Sequence, residues 1–189
     1  MNRTIFFDRD GILNNLVEDE SGKLRAPFNL KELEVNHQAR DLIDFMRRSF
    51  NFTLFTNQPD IGKGRIKQNE FEEIQHEILS VYSEISSFLI CPHAQESLCA
   101  CRKPSPKLLI EYAGTNNCKL VNSWVIGDRW VDIEAGNSAG CSTILLEKHY
   151  SWDATSDGSR PADTLQPTIV IANFDDLKKY YRQIERNKT

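Results

Sequence analysis

The sequence Asp8-Arg9-Asp10-Gly11 directly follows the apolar run Ile5-Phe6-Phe7, so two carboxylates stand two residues apart where the chain leaves that run. A carboxylate is already ionised at neutral pH. Asp8 could therefore attack phosphorus and form an aspartyl-phosphate, which splits one difficult hydrolysis into two easier steps. Asp10 could protonate the leaving alkoxide and later take a proton from the attacking water. Three further polar groups end apolar runs or follow them. Thr56-Asn57-Gln58 offers a hydroxyl and backbone N–H groups for phosphoryl oxygens, with Asn57 as a substrate-binding residue. Lys103 offers a compact cation for the charge on a transferred phosphoryl group. In Gly127-Asp128-Arg129-Trp130-Val131-Asp132, Asp128 offers a carboxylate that would complete a magnesium site with Asp8 and Asp10; magnesium favours few carboxylates together with waters and phosphate oxygens. Taken singly, each group has an ordinary explanation as a surface turn or a solvated lysine. Their order at successive strand ends carries the reading.

Cys91, His93, Cys99 and Cys101 form a C-x-H-x5-C-x-C pattern. Three thiolates and one imidazole at that spacing suit tetrahedral zinc, and four protein ligands leave no open position, so the expected metal is structural. It would pin the loop that presents Arg102 and Lys103. The bland alternative is a loop with free thiols. Cys118 and Cys141 read as small buried thiols, His37 and His76 as surface or helix residues, and Trp124 as core.

These groups need a scaffold that brings strand ends together. Short apolar runs at Ile5–Phe7, Phe52–Phe55, Phe88–Ile90, Trp124–Ile126, Thr143–Leu146 and Ile169–Ile171 have the length of buried strands. Between them, apolar positions recur at helical spacing over Ala39–Arg48, Glu70–Tyr82, Pro106–Tyr112, Val131–Ser138 and Phe174–Arg186. Alternating strands and helices predict an α/β fold, a three-layer, Rossmann-like parallel sheet with helices on both faces. Ligands of such sheets bind beyond the carboxyl ends of the strands. A chain of 189 residues with 40% hydrophobic content predicts one domain over 1–189, with a flap at about 12–37, a zinc loop at about 91–103 and a polar loop at 151–167. Arg25 or Lys23 in the flap could meet a second phosphate, or simply be solvated. Trp130 could wall the site or pack a helix start, and His149, Tyr150 and Trp152 could form a lid.

The net charge of -4 and pI of 5.6 supply no basic field for a nucleic-acid backbone, which argues against a polynucleotide phosphatase. No apolar stretch approaches the roughly 20 residues needed to span a bilayer. The expectation is a soluble, cytoplasmic monomer that acts on a small molecule, without nucleic-acid or membrane partners.

With Asp8-Arg9-Asp10-Gly11, Thr56-Asn57-Gln58, Lys103 and Gly127-Asp128 as successive motifs, the chain resembles the haloacid dehalogenase-like superfamily over about Ile5 to Leu146. The resemblance implies a nucleophile at Asp8, an acid/base at Asp10, phosphoryl contacts from Thr56 and Lys103, and Mg2+ on Asp8, Asp128 and the backbone carbonyl of Asp10. The Cys/His segment followed by Arg102-Lys103-Pro104 is similar to the essentially capless subfamily that holds histidinol-phosphate phosphatases and heptose-1,7-bisphosphate 7-phosphatases, which implies structural Zn2+. It also implies substrate contacts at Arg102 and Arg129. Ser123 to Trp130 and Thr56 to Asp60 lean toward the heptose branch, hence the 7-phosphate of D-glycero-D-manno-heptose 1,7-bisphosphate and a place in lipopolysaccharide or capsule assembly. Asp60, Gly62 and the Asn14–Asn36 flap depart from the heptose pattern, and histidinol phosphate is the alternative substrate. A catalytically silent zinc-stabilised binding module is the rival from another class; it predicts the loss of a catalytic group, and none is missing from the sequence.

Overall fold

Ile5, Phe6 and Phe7 carry no polar side chain, and all three are fully buried in β1 (Thr4–Phe7). A strand apolar on both faces fits only a sheet covered on both sides. The computed structural model describes residues 3–186 other than 95 and 157. After β1 come β2 (Val17–Glu18), β3 (Leu24–Arg25), α1 (His37–Met46), β4 (Asn51–Asn57), α2 (Pro59–Gly62), α3 (Gln68–Val81) and β5 (Ile85–Cys91). The second half adds α4 (Lys107–Asn116), β6 (Trp124–Gly127), α5 (Trp130–Ala139), β7 (Ser142–Leu146), β8 (Ile169–Ile171) and α6 (Phe174–Arg186).

Six strands form one parallel sheet in the order β5-β4-β1-β6-β7-β8. Side chains alternate across it as the strand period requires. Ile5 and Phe7 join Phe52, Leu54 and Ile126 beneath α1, α3 and α6, whereas Phe6, Phe55 and Val125 face Leu109 and Tyr112 of α4 and Ala135 of α5. Burying each such side chain contributes roughly 1.5–3 kcal/mol. Trp124 is core, its ring centroid 5.2 Å from that of Phe50 and 5.8 Å from that of Tyr181. Cys118 and Cys141 are buried, and His37 and His76 are exposed.

All six sequence-predicted strands are present, and the boundaries of most helices shift by a few residues. The flap contains the antiparallel β2–β3 hairpin, too short for a periodic signal. Its base is tied down: the Tyr82 hydroxyl donates to the carbonyls of Leu13 and Asn36, and the Asn36 side chain caps α1 by accepting from the Gln38 N–H. Within the flap, Arg25 forms a two-point ion pair with Glu32 at 2.7 and 3.0 Å, while Lys23 is exposed.

The β1 strand pairs with β4 on one side and β6 on the other, so the chain order reverses at β1. This switch point is where an open α/β sheet leaves a crevice at its carboxyl edge. Asp8, Thr56 and Asp128 each lie at or just past the ends of these strands.

Candidate active site

Asp8 follows β1, with its backbone N–H fixed to the Ile126 carbonyl at 2.9 Å. Its Oδ1 accepts from the Arg9 N–H at 2.8 Å and pairs with Lys103 Nζ at 2.9 Å. No hydrogen bond among the described residues reaches its Oδ2. Burial, reinforced by Asp132 and Asp10 and opposed by Lys103, raises the Asp8 carboxyl to about 6.

Lys103 is 3% exposed, and its ammonium has three acceptors: Asp8, Asp132 Oδ1 at 2.5 Å and the Phe55 carbonyl at 2.9 Å. Desolvation alone would lower its pKa, but Asp132 and Asp8 outweigh it and the group stands at about 12. Lys103 is therefore a permanent cation held in low dielectric. Asn57 grips its backbone from both sides: Lys103 N–H donates to Asn57 Oδ1 at 3.0 Å, and Asn57 Nδ2 donates to the Lys103 carbonyl at 3.2 Å. Arg102, next in line, is half-buried.

Asp128 is fully buried at the end of β6. Its Oδ2 accepts from the Tyr150 hydroxyl at 2.6 Å, and its Oδ1 is buried without a hydrogen-bond partner. Burial, with Asp8 and Asp132 nearby, raises this carboxyl to about 8. An orphaned, desolvated carboxylate oxygen facing other carboxylates is the environment a divalent cation resolves. Asp8, Asp128 and Asp132 each bring one oxygen within 4.8 Å of the others. Asp132 is otherwise engaged, with Oδ1 on Lys103 and Oδ2 accepting the Arg129 N–H at 3.1 Å, so Asp8 and Asp128 fit as direct magnesium ligands. Two glycines make the cluster possible. A Cβ at Gly11, whose φ is +95°, would fall 1.9 Å from Asp128 Oδ2, and a Cβ at Gly127 would fall 2.4 Å from Asp132 Oδ2.

The Asp10 carboxylate is not part of that cluster. Its oxygens accept from Arg9 Nε at 3.1 and 3.2 Å, Asn14 Nδ2 at 3.0 Å and Gln58 Nε2 at 2.7 Å. The fully buried Arg9 also donates to Gln58 Oε1 at 2.8 Å, and Gln58 Nε2 reaches Thr56 Oγ1 at 3.0 Å. Asp10 and Thr56 thus belong to one hydrogen-bonded unit, and it is the Asp10 carboxylate, as opposed to its carbonyl, that is taken up there.

The Cys/His loop is folded as a cluster. Cys91 Sγ lies 3.6 Å from Cys99 Sγ, 3.1 Å from Cys101 Sγ and 3.6 Å from His93 Nδ1, and His93 Nδ1 lies 3.2 Å from Cys101 Sγ. A tetrahedral zinc with Zn–S near 2.3 Å spaces its thiolates roughly 3.8 Å apart, so an expansion of about 0.2 Å for Cys91–Cys99 and about 0.7 Å for Cys91–Cys101 would seat the ion. Burial, with Cys101 beside it, pushes the Cys91 thiol up to about 12.

Arg129 is half-buried, its guanidinium 4.6 Å from the Tyr150 ring centroid. Trp130 packs the start of α5, its indole N–H bonded to the Asp153 carbonyl at 2.9 Å. Tyr150 is buried, whereas His149 and Trp152 are exposed. Sequence reasoning gives no role to the side chains of Asp132, Arg9, Asn14 and Gln58, and reads Tyr150 as a lid residue, not as a partner of Asp128. Asp132 had a signal in its position one helical turn beyond Asp128; the hydrogen bond from Tyr150, in a turn after β7, to Asp128 had none.

Comparison with known proteins places the chain among relatives of this site. A family model described as HAD-hydrolase-like matches residues 100–177. The D-glycero-beta-D-manno-heptose-1,7-bisphosphate 7-phosphatase of Helicobacter pylori is 31% identical over 176 residues, covering 87% of this chain and 98% of that protein. The histidine biosynthesis bifunctional protein HisB of Actinobacillus pleuropneumoniae is 29% identical over 169 residues, covering 85% of this chain but only 45% of its own length. The chain thus spans under half of that bifunctional relative. Among solved structures, the D,D-heptose 1,7-bisphosphate phosphatase of B. bronchiseptica, complexed with magnesium and phosphate, shares the fold with a TM-score of 0.75 at 21% identity, over 96% of this chain and 98% of the other.

Proposed function

The chain belongs to the haloacid dehalogenase-like phosphatases, and on that premise we propose that it is a magnesium-dependent phosphatase that removes the 7-phosphate of D-glycero-D-manno-heptose 1,7-bisphosphate through an aspartyl-phosphate. The observation that carries the chemistry is the buried, partnerless Asp128 Oδ1 beside Asp8, with Lys103 ion-paired to Asp8 at 2.9 Å. The similarity to the Helicobacter enzyme over nearly its whole length supports the substrate.

Asp8 attacks through Oδ2, because Oδ1 is held by the Arg9 N–H and Lys103. With a carboxyl raised to about 6, it is mostly ionised at neutral pH and so competent as a nucleophile. Lys103, fixed by Asp132 and Phe55, neutralises charge that develops on the phosphoryl oxygens. Thr56 adds a hydroxyl to those oxygens, and Asn57 acts by clamping the Lys103 backbone. Asp10 gives its proton to the leaving alkoxide and then activates water, its position set by Arg9, Asn14 and Gln58. Asp8, Asp128 and the backbone carbonyl of Asp10 would hold magnesium, which supplies Lewis-acid neutralisation of phosphoryl charge. Cys91, His93, Cys99 and Cys101 would hold zinc and thereby fix the backbone just ahead of Arg102 and Lys103. Arg102 and Arg129 recognise the rest of the substrate. The reading includes a cytoplasmic, monomeric enzyme; no helix of the described residues is long and apolar enough to cross a membrane.

Phosphate release from heptose 1,7-bisphosphate, histidinol phosphate and a generic monophosphate, each with magnesium, tests the proposal. The heptose ester should show the highest kcat/KM, with phosphate lost from carbon 7. A preference for histidinol phosphate would reassign the substrate, and no release from any of them would overturn the activity.

A further inference from the structure

Tyr150 stands in the turn after β7, and that turn is laced to the end of β6. Ser151 Oγ donates to the Asp128 carbonyl at 2.5 Å, and the Trp130 N–H donates to the Ser151 carbonyl at 2.9 Å. Within this frame the Tyr150 hydroxyl donates to Asp128 Oδ2 at 2.6 Å while Oδ1 has no partner. The two oxygens of one carboxylate are thereby made unequal: one is occupied by a phenol and the other is left for a cation. Rotation about Cβ–Cγ that would offer both oxygens together breaks the hydrogen bond. The Tyr150 ring meanwhile carries the guanidinium of Arg129 at 4.6 Å from its centroid. One side chain therefore touches both the candidate magnesium carboxylate and a candidate substrate arginine.

We propose that Tyr150 is a positioning residue that makes Asp128 a one-oxygen ligand, so favouring magnesium over calcium, and that its ring shelves Arg129 toward substrate; the inference rests on the magnesium phosphatase reading. The physical reason lies in the two ions. Magnesium is small, demands near-octahedral geometry and binds through one or two carboxylates, whereas calcium accepts more oxygens and readily takes a carboxylate by both of its oxygens as well as by one. Freeing Oδ2 removes a constraint that penalises calcium more than magnesium.

Calorimetric titration of zinc-loaded protein with Mg2+ and with Ca2+ tests this on wild type, Tyr150→Phe and Tyr150→Leu, with folding checked by circular dichroism. Both variants lack the hydroxyl, so in each the ratio Kd(Ca)/Kd(Mg) should fall at least about fivefold; if Tyr150→Phe does not fold, Tyr150→Leu still reports. Phe keeps the ring and Leu does not, so at saturating magnesium Leu should raise the substrate KM about fivefold over Phe. An unchanged ion ratio, including equal weakening of both ions, overturns the positioning role, and equal KM values overturn the shelf. Wild type that binds magnesium yet releases no phosphate would sink the proposed activity and leave the ion ratio to decide Tyr150. Wild type that binds neither ion overturns both.

Discussion

Lys103 Nζ lies 2.5 Å from Asp132 Oδ1, and the two side chains are 2% and 1% exposed. The contact joins the Cys/His loop to the first turn of α5. It gives the cation a second carboxylate besides Asp8, so Lys103 keeps an anionic partner even where Asp8 is neutralised.

Removing that carboxylate leaves a buried ammonium with one anionic partner. Losing one member of a buried pair costs about 3–5 kcal/mol when the other is left uncompensated; with Asp8 remaining, the lower end is expected. Asp132→Ala should lower both Tm and kcat, measured by thermal melts and steady-state kinetics. Wild-type values of both would mean that Asp8 and Phe55 suffice.

Asp8→Asn should retain the fold and lose turnover, because an amide cannot serve as the nucleophile. The expected loss in kcat is at least about a hundredfold, or roughly 3 kcal/mol of barrier. Retention of more than about a hundredth of wild-type kcat would exclude covalent catalysis by this residue.

Elemental analysis should find about one zinc per chain, given the four clustered ligands. Cys99→Ser should lower the zinc content and Tm together, and reduce kcat through Lys103. A metal-free protein with freely titrating thiols and full activity would refute the site.

Arg102 and Lys103 are neighbours with different burial, and their variants should fail differently. Lys103→Ala should lower kcat on every substrate, whereas Arg102→Ala should mainly raise KM and blur the choice between a bisphosphate and a monophosphate. Equal kcat losses with unchanged KM would erase the division of labour.

Asp8 and Asp128 stand at about 6 and about 8, against an ordinary value of 3.8. Between roughly pH 4 and pH 8 these two groups therefore hold more protons in the folded, magnesium-free protein than in the unfolded chain, and through linkage their contribution to stability falls as pH rises through that window. Magnesium binds the ionised carboxylates, so its stabilising effect should grow over the same range. Melts of zinc-loaded protein in magnesium-free buffer and in excess magnesium, near pH 5.5 and near pH 8, would test both signs; a Tm gain from magnesium that is larger at the lower pH contradicts the assignment.

The six parallel strands were legible because a strand buried on both faces must be apolar throughout, as Ile5-Phe6-Phe7 and Trp124-Val125-Ile126 are. The motif carboxylates were legible because they sit where those runs stop, and the metal-type spacing of Cys91, His93, Cys99 and Cys101 is local. The flap hairpin escaped, because two-residue strands hold too few positions for a period. The roles of Asp132 and of the Tyr150 hydroxyl escaped because they depend on what those groups meet. Asp132 earns its place only when β5 and α5 converge on Lys103, and Tyr150 only when the turn after β7 folds back onto β6. Sequence alone therefore determined which side chains stand at which strand end, since burial and spacing are properties of short segments. Only the tertiary structure decided which oxygen of each carboxylate is spoken for, since hydrogen bonds between residues far apart in the chain are set by how the elements pack.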